Sequence, residues 1–182
     1  MSHEKEHGGL KGLVDKAQDM VGGVVGMASA TTAGSHSAEA FIANACIADL
    51  YEVESGRLAV QRAGGDDIRM FGAMMVEHHT TSMHQMLSAL RSHEVTDAIP
   101  GAAPTSELDE RRTGMLQHLR DAPAEDFDKM YLDQQRMAHQ ESVALHKGYA
   151  ENGDNPQLRS VAMGGLPMVE RHLKMLGRIG VH

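Results

Sequence analysis

Apolar and small residues recur every three or four positions along most of the chain, and this spacing predicts four long amphipathic helices. We expect them at about residues 37–63, 66–92, 124–151 and from 156 to near the end of the chain. Their stripes are Phe41, Ala45, Ala48, Glu52, Gly56 and Ala59; Gly72, Val76, His79, Met83, Met86 and Leu90; Leu132, Gln135, His139, Val143 and His146; and Leu158, Ala162, Gly165, Val169, His172, Leu176 and Ile179. Nothing in the pattern suggests a sheet, so the predicted class is all-α.

The segments between the stripes predict how the helices are joined. Ser35 or Ser37 is a candidate N-cap of the first helix, and Gly64-Gly65 is its stop. The link between the second and third helices spans about 92–124 and contains a short amphipathic helix that we expect Ser106 to cap. Antiparallel neighbours need only a few linking residues, so this link predicts a crossover along a four-helix bundle. Pro167 is expected to kink the fourth helix.

The first 35 residues differ in composition from the rest and predict a separate Gly-rich segment before a bundle domain at 36–182. Apolar residues at helical spacing over 10–28 indicate a weak amphipathic helix, because several glycines interrupt it. Two interpretations are open. The helix packs on its own domain or frays, or it binds a protein partner, a second copy or a membrane surface.

Composition narrows the possible functions. Aromatic residues make up 3% of the chain, whereas there are 14 Met and 12 His, which favours helices over strands. The net charge of −8 gives no basic stripe, so nucleic acid is not an expected partner. Cys46 is the single cysteine and has no intramolecular disulfide partner. No apolar run is long enough to cross a bilayer and no signal peptide is visible, so we expect a cytoplasmic protein.

The candidate chemistry is a metal site inside the bundle. Glu52, His79, His139 and His172 lie on the inward stripes of four different helices, so one carboxylate and three imidazoles are expected to converge. This set suits one transition-metal ion, with Zn(II) and Cu(II) favoured over Fe(II) and Mn(II). A buried polar network that holds no ion is the alternative interpretation. Further candidate ligands are His78, Asp128 and His146, although we expect Asp128 to serve a helix N-terminus instead.

Known di-iron bundles take Glu from two helices and a Glu-x-x-His pair from each of the other two. The long helices here contain no such pair, since Glu77, Glu141 and Glu170 each stand two residues from a candidate His. Di-iron oxidase and ferroxidase activities are therefore disfavoured. Whether the protein is an enzyme stays open, and a protein without enzymatic activity is favoured.

Five motifs resemble a bacterial ferritin-like family known as a domain of unknown function (DUF4142). They are Glu52-Val53-Glu54-Ser55-Gly56-Arg57-Leu58-Ala59, Met75-Val76-Glu77-His78-His79-Thr80, Phe127-Asp128, His139-Gln140-Glu141 and Leu166-Pro167-Met168-Val169-Glu170-Arg171-His172-Leu173. The resemblance implies a ferritin-like bundle whose recurring polar residues are Glu52, His79, Asp128, His139 and His172. It also implies an Asp where this chain has His78, and an export signal in many members.

The resulting functional hypothesis is a metal-binding bundle that serves sequestration, sensing or stress protection. The alternative from another class is a structural or interaction protein that self-assembles or recruits a partner through residues 10–28.

Overall fold

The described residues, 14–19 and 33–179 of a computed structural model, are helical and contain no strand. A short 3-10 turn at Ala33–Ser35 precedes six α-helices in this range. They are α1 (Ala38–Arg62), α2 (Asp66–Ala89), α3 (His93–Thr96), α4 (Glu110–Asp121), α5 (Ala124–Asn152) and α6 (Pro156–Leu176). The prediction of an all-α bundle with a long crossover that carries a short helix is confirmed.

The four long helices pair in an antiparallel arrangement. Helix α1 packs on α2 and α5, and α6 packs on α5 and α2. Contacts between α1 and α5 run in opposite directions: the Phe41 ring stacks on Tyr149 at one end, and the Gly64 N–H donates to Asp128 at the other. The crossover lets α5 start at the same end of the bundle at which α1 stops.

The bundle core consists of two apolar clusters with polar side chains between them. One cluster contains Phe41, Cys46 and Leu158, and the other contains Phe71 and Tyr131. On each long helix a stretch of residues separates the two clusters, and the inward His and Glu residues lie in or beside these stretches. The polar side chains are thereby sealed from water on both sides along the bundle axis.

Helix ends follow local capping chemistry. The Ser37 hydroxyl accepts from the Ala40 N–H, so Ser37 is the N-cap of α1 as predicted. The N-cap of the crossover helix is Asp109, whose carboxylate accepts from the Arg112 N–H at 2.6 Å. The prediction of Ser106 was wrong: a carboxylate three residues later caps this end, where its charge also favours the helix dipole.

Helices α1 and α2 approach closely because glycine faces glycine. A Cβ built on Gly56 would lie 2.7 Å from the Gly72 carbonyl oxygen, and a Cβ on Gly72 would lie 2.9 Å from the Gly56 oxygen. Any side chain at either position would separate the helices. This contact sets the distance between the polar residues of α1 and those of α2.

Charged side chains hold the crossover helix against the bundle. Arg111 and Arg112 of α4 both bind the Glu141 carboxylate of α5, at 2.6 and 2.7 Å. The Arg112 guanidinium also lies over the Tyr51 ring at 4.8 Å. The crossover is therefore tied to α5 by two ion pairs and to α1 by a cation–π contact.

Residues 14–19 contact the bundle through their acidic side. Asp15 and Asp19 are buried, and His118 of α4 lies 2.9 Å from Asp19 and 3.7 Å from Asp15. Val14 is 49% exposed and Ala17 is also exposed, so the described part of the predicted apolar stripe faces away from the bundle. The remainder of that stripe lies outside the described residues, and a partner surface at 10–28 stays a prediction.

Helix α6 continues through Pro167. Proline cannot donate to the carbonyl four residues earlier, which belongs to Met163. Met163 is 60% exposed, so this loss occurs on the side of the helix that faces water. Among the described helices, none combines the length and apolar character needed to span a bilayer.

Candidate metal centre

Three histidines from three helices meet in the bundle core. His79 of α2, His139 of α5 and His172 of α6 each offer a ring nitrogen, and these atoms all lie within 4.8 Å of one another. All three residues are at most 1% exposed. His139 Nε2 lies 3.2 Å from His172 Nδ1. Two nitrogens bound to one tetrahedral Zn(II) are about 3.3 Å apart, so this pair already has the spacing of ligands.

The second nitrogen of each ring has its own partner. His79 Nδ1 donates to the Asp49 carboxylate at 2.7 Å, and His139 Nδ1 donates to the Gln135 carbonyl at 2.9 Å. His172 Nε2 lies 2.8 Å from His78 Nδ1. Outer partners of this kind fix the tautomer and orientation of metal-binding imidazoles. The outer contacts of His79 and His139 leave the inward nitrogen of each ring with a free lone pair.

The electrostatic environment shifts the pKa values of the three imidazoles in different directions. Burial lowers the pKa of His172 to about 2, and the neighbouring imidazoles add to that effect. Burial also lowers the pKa of His139, although the Glu52 charge opposes it. Burial alone would lower the pKa of His79, but the hydrogen bond and negative charge of Asp49 outweigh it, so that pKa is raised. Two of the three rings are thus held neutral, the form that binds a metal ion.

Glu52 lies beside this cluster and outside it. Its Oε1 atom is 3.6 Å from His139 Nδ1, on the side of the ring that faces away from His172. Its ligand atoms are not among those that lie within 4.8 Å of one another. Of the four predicted ligands, His79, His139 and His172 therefore lie together, and the Glu52 carboxylate lies behind the His139 ring.

Several buried polar atoms around the cluster lack a hydrogen-bond partner among the described residues. They include both carboxylate oxygens of Glu52, His79 Nε2 and Gln135 Oε1. In a purely hydrogen-bonded network, His172 donates to His139 and accepts from His78. That network still leaves His79 Nε2 and the Glu52 carboxylate without a hydrogen-bond partner. Buried polar groups in native protein cores rarely lack such a partner.

The other predicted ligands lie elsewhere. Both Asp128 oxygens accept from the Gly64 and Gly65 N–H groups, at 2.9 and 3.0 Å, so Asp128 binds the turn before α2. His146 lies seven residues, or about 10 Å, beyond His139 along α5. His146 donates through Nδ1 to the Ser142 carbonyl, and burial lowers its pKa.

Asp49 belongs to the candidate site but was not predicted from the sequence. It stands three residues before Glu52, so it lies on the same side of α1. A second acid at this spacing on an otherwise apolar stripe was the available signal. Its partner was not readable from the sequence, because the Asp49 to His79 contact joins two helices.

The family model described as a domain of unknown function (DUF4142) matches residues 24–179. The match covers the whole bundle and begins before α1. A search of curated proteins and a search of solved structures each found no significant match.

Proposed function

Because the chain belongs to the DUF4142 family, whose description states no activity, we propose a function from the site itself: the protein binds one divalent transition-metal ion through His79, His139 and His172. Glu52, which lies behind His139, supplies negative charge that offsets the charge of that ion. We further propose that binding serves sequestration or sensing of the metal.

The observation that carries this proposal is the pattern of outer hydrogen bonds. Asp49, the Gln135 carbonyl and His78 each occupy one nitrogen of a different imidazole. An ion binding the three inward nitrogens leaves each ring one proton to donate outward, and each outer partner can accept it. The same ion supplies His79 Nε2 with a partner that the hydrogen-bonded network does not provide.

Charge balance favours a divalent ion. Asp49 and Glu52 bring two carboxylates into the core, with side-chain exposures of 8% and 1%. Arg112, whose charge reaches His139, is already paired with Glu141. Three neutral imidazoles, two carboxylates and one divalent cation sum to zero, which avoids the large cost of an uncompensated buried charge.

Burial of the ligands favours holding a metal over turning over a substrate. Catalytic metal sites keep a coordination position open to a reactant. Here the three imidazoles are at most 1% exposed and lie between two apolar clusters. An ion in such surroundings exchanges slowly with solvent, as sequestration requires.

The test is the metal content and metal response of protein purified without a histidine tag. We expect about one equivalent of Co(II) or Zn(II) to bind and to raise the melting temperature, because a ligand that binds only the folded state stabilises it. His172→Gln removes a ligand at a fully buried position. His84→Gln is the matched control, because His84 is an exposed histidine on the same helix as His79.

Loss of Co(II) binding in His172→Gln with retention in His84→Gln would support the proposal. The absence of bound metal and of any thermal shift in the wild-type protein would refute it. Equal binding by both variants would also refute it, because the ion would then lie at another site.

A further inference from the structure

His78 differs from the other imidazoles of the cluster in its exposure. It is half-buried, whereas His79, His139 and His172 are at most 1% exposed. Its ring stacks nearly parallel on that of His172, with centroids 5.1 Å apart and an interplanar angle of 12°. Its Nδ1 atom lies 2.8 Å from His172 Nε2. His78 therefore connects the buried cluster to the surface.

We propose that His78 is the entry ligand of this site: a metal ion binds first between His78 and the outer nitrogen of His172, and then moves inward to the three-histidine position. This inference rests on the proposed function, since it describes how the same site is loaded and emptied.

The geometry of His172 makes this transfer chemically simple. Its Nε2 faces His78 and its Nδ1 faces His139, so one ring borders both positions. In the outer position the ion takes Nε2, and the ring proton sits on Nδ1 and is donated to His139 Nε2. In the inner position the ion takes Nδ1, and the proton sits on Nε2 and is donated to His78 Nδ1. The ion gives up its contacts with His78 and His172 Nε2 and gains contacts with His172 Nδ1, His139 and His79, and one proton changes nitrogen on the His172 ring.

Among the groups that bind the outer side of the cluster, only His78 has the properties of an entry ligand. The Asp49 carboxylate is buried and occupied by His79, and the Gln135 carbonyl belongs to the helix backbone. An ion that entered past either one would have to break a buried hydrogen bond before it met a ligand. An ion that enters at His78 meets a half-exposed imidazole first.

The experiment separates the rates of metal exchange from the equilibrium affinity. Co(II) association is followed by stopped-flow absorbance, and its release is followed by transfer to an excess of chelator. His78→Gln is the informative variant, because its amide oxygen still accepts from His172 Nε2 but is a poor metal ligand. His78→Phe removes both roles, and His84→Gln is the control on the same helix.

For His78→Gln we expect association and release each to slow by about tenfold, with a dissociation constant within about twofold of the wild type. For His78→Phe we expect slower exchange and weaker binding together, by about tenfold in affinity, since the orienting acceptor is also lost. His84→Gln should match the wild type in all three measurements.

Wild-type exchange rates in His78→Gln would overturn the entry role and leave the metal site standing. A weaker affinity with an unchanged association rate would also overturn it, because His78 would then act only by orienting His172. If the wild-type protein binds no Co(II), both this inference and the proposed function fail.

Discussion

Replacing Asp49 by Asn tests the outer hydrogen bonds on which the metal proposal depends. Asn has nearly the same shape and its amide oxygen can still accept from His79 Nδ1, so the substitution removes a charge and little else. Asp49 and His79 are both buried, with side-chain exposures of 8% and 2%, so solvent does not screen their interaction. We expect weaker metal binding and a modest loss of stability without metal.

The hydrogen bond between Asp49 and His79 sets the size of both effects, the loss of stability without metal and the weaker metal binding. A hydrogen bond to a charged group contributes about 1 kcal/mol more than a neutral one, so the metal-free protein should lose roughly that amount. Loss of an outer carboxylate from a metal-bound histidine weakens binding by about tenfold or more. At a metal concentration of about 100 times the wild-type dissociation constant, the stabilisation should fall from about 2.7 to about 1.4 kcal/mol.

The assay is thermal unfolding with and without Zn(II), followed by circular dichroism. For a domain of this size 1 kcal/mol corresponds to about 2–4 °C, so the metal-induced shift should fall from roughly 8 °C to roughly 4 °C. Asp97→Asn is the control, since Asp97 is exposed at the end of α3. An equal shift in wild type and Asp49→Asn, or an equal reduction in both variants, would refute the role of Asp49.

Three further predictions concern packing and charge. Gly56→Ala should destabilise the protein by about 1–3 kcal/mol in urea unfolding, because its Cβ would meet the Gly72 carbonyl. Gly164→Ala, with open space around its Cβ, should be neutral or stabilising. Equal effects of the two substitutions would contradict the close contact between α1 and α2. Glu141→Ala should cost about 3–5 kcal/mol in the same assay, since it strands a buried arginine, and a cost below about 1 kcal/mol would show that the pair is not buried in solution. Burial raises the pKa of Asp19 above its ordinary value of 3.8, so the protonated form stabilises the fold at low pH and this contribution is lost as the pH rises. Asp19→Asn should therefore gain stability relative to wild type between pH 3 and pH 7, and a relative loss over that range would reverse the assigned sign.

Much of the architecture was predictable from the spacing of apolar residues and from local capping chemistry. Helix period places each residue at a known angle around its own axis, so His79, His139 and His172 were expected to face inward, and they do. Ser37, one of the two predicted caps, is the N-cap of α1, and that helix ends at Arg62, just before Gly64-Gly65. These features depend on residues a few positions apart, which is the range over which a sequence pattern is informative.

Tertiary structure decided which inward residues stand at the same depth and which atoms face each other. Periodicity does not give the offset of one helix along another, and here a contact between two glycines, Gly56 and Gly72, helps to set it. That offset brings Asp49 to His79, and His78 to His172. It leaves Glu52 behind His139. The chain alone therefore determined the helices and their buried faces, whereas the assembly of a three-histidine cluster with its outer partners depended on packing between helices far apart in sequence.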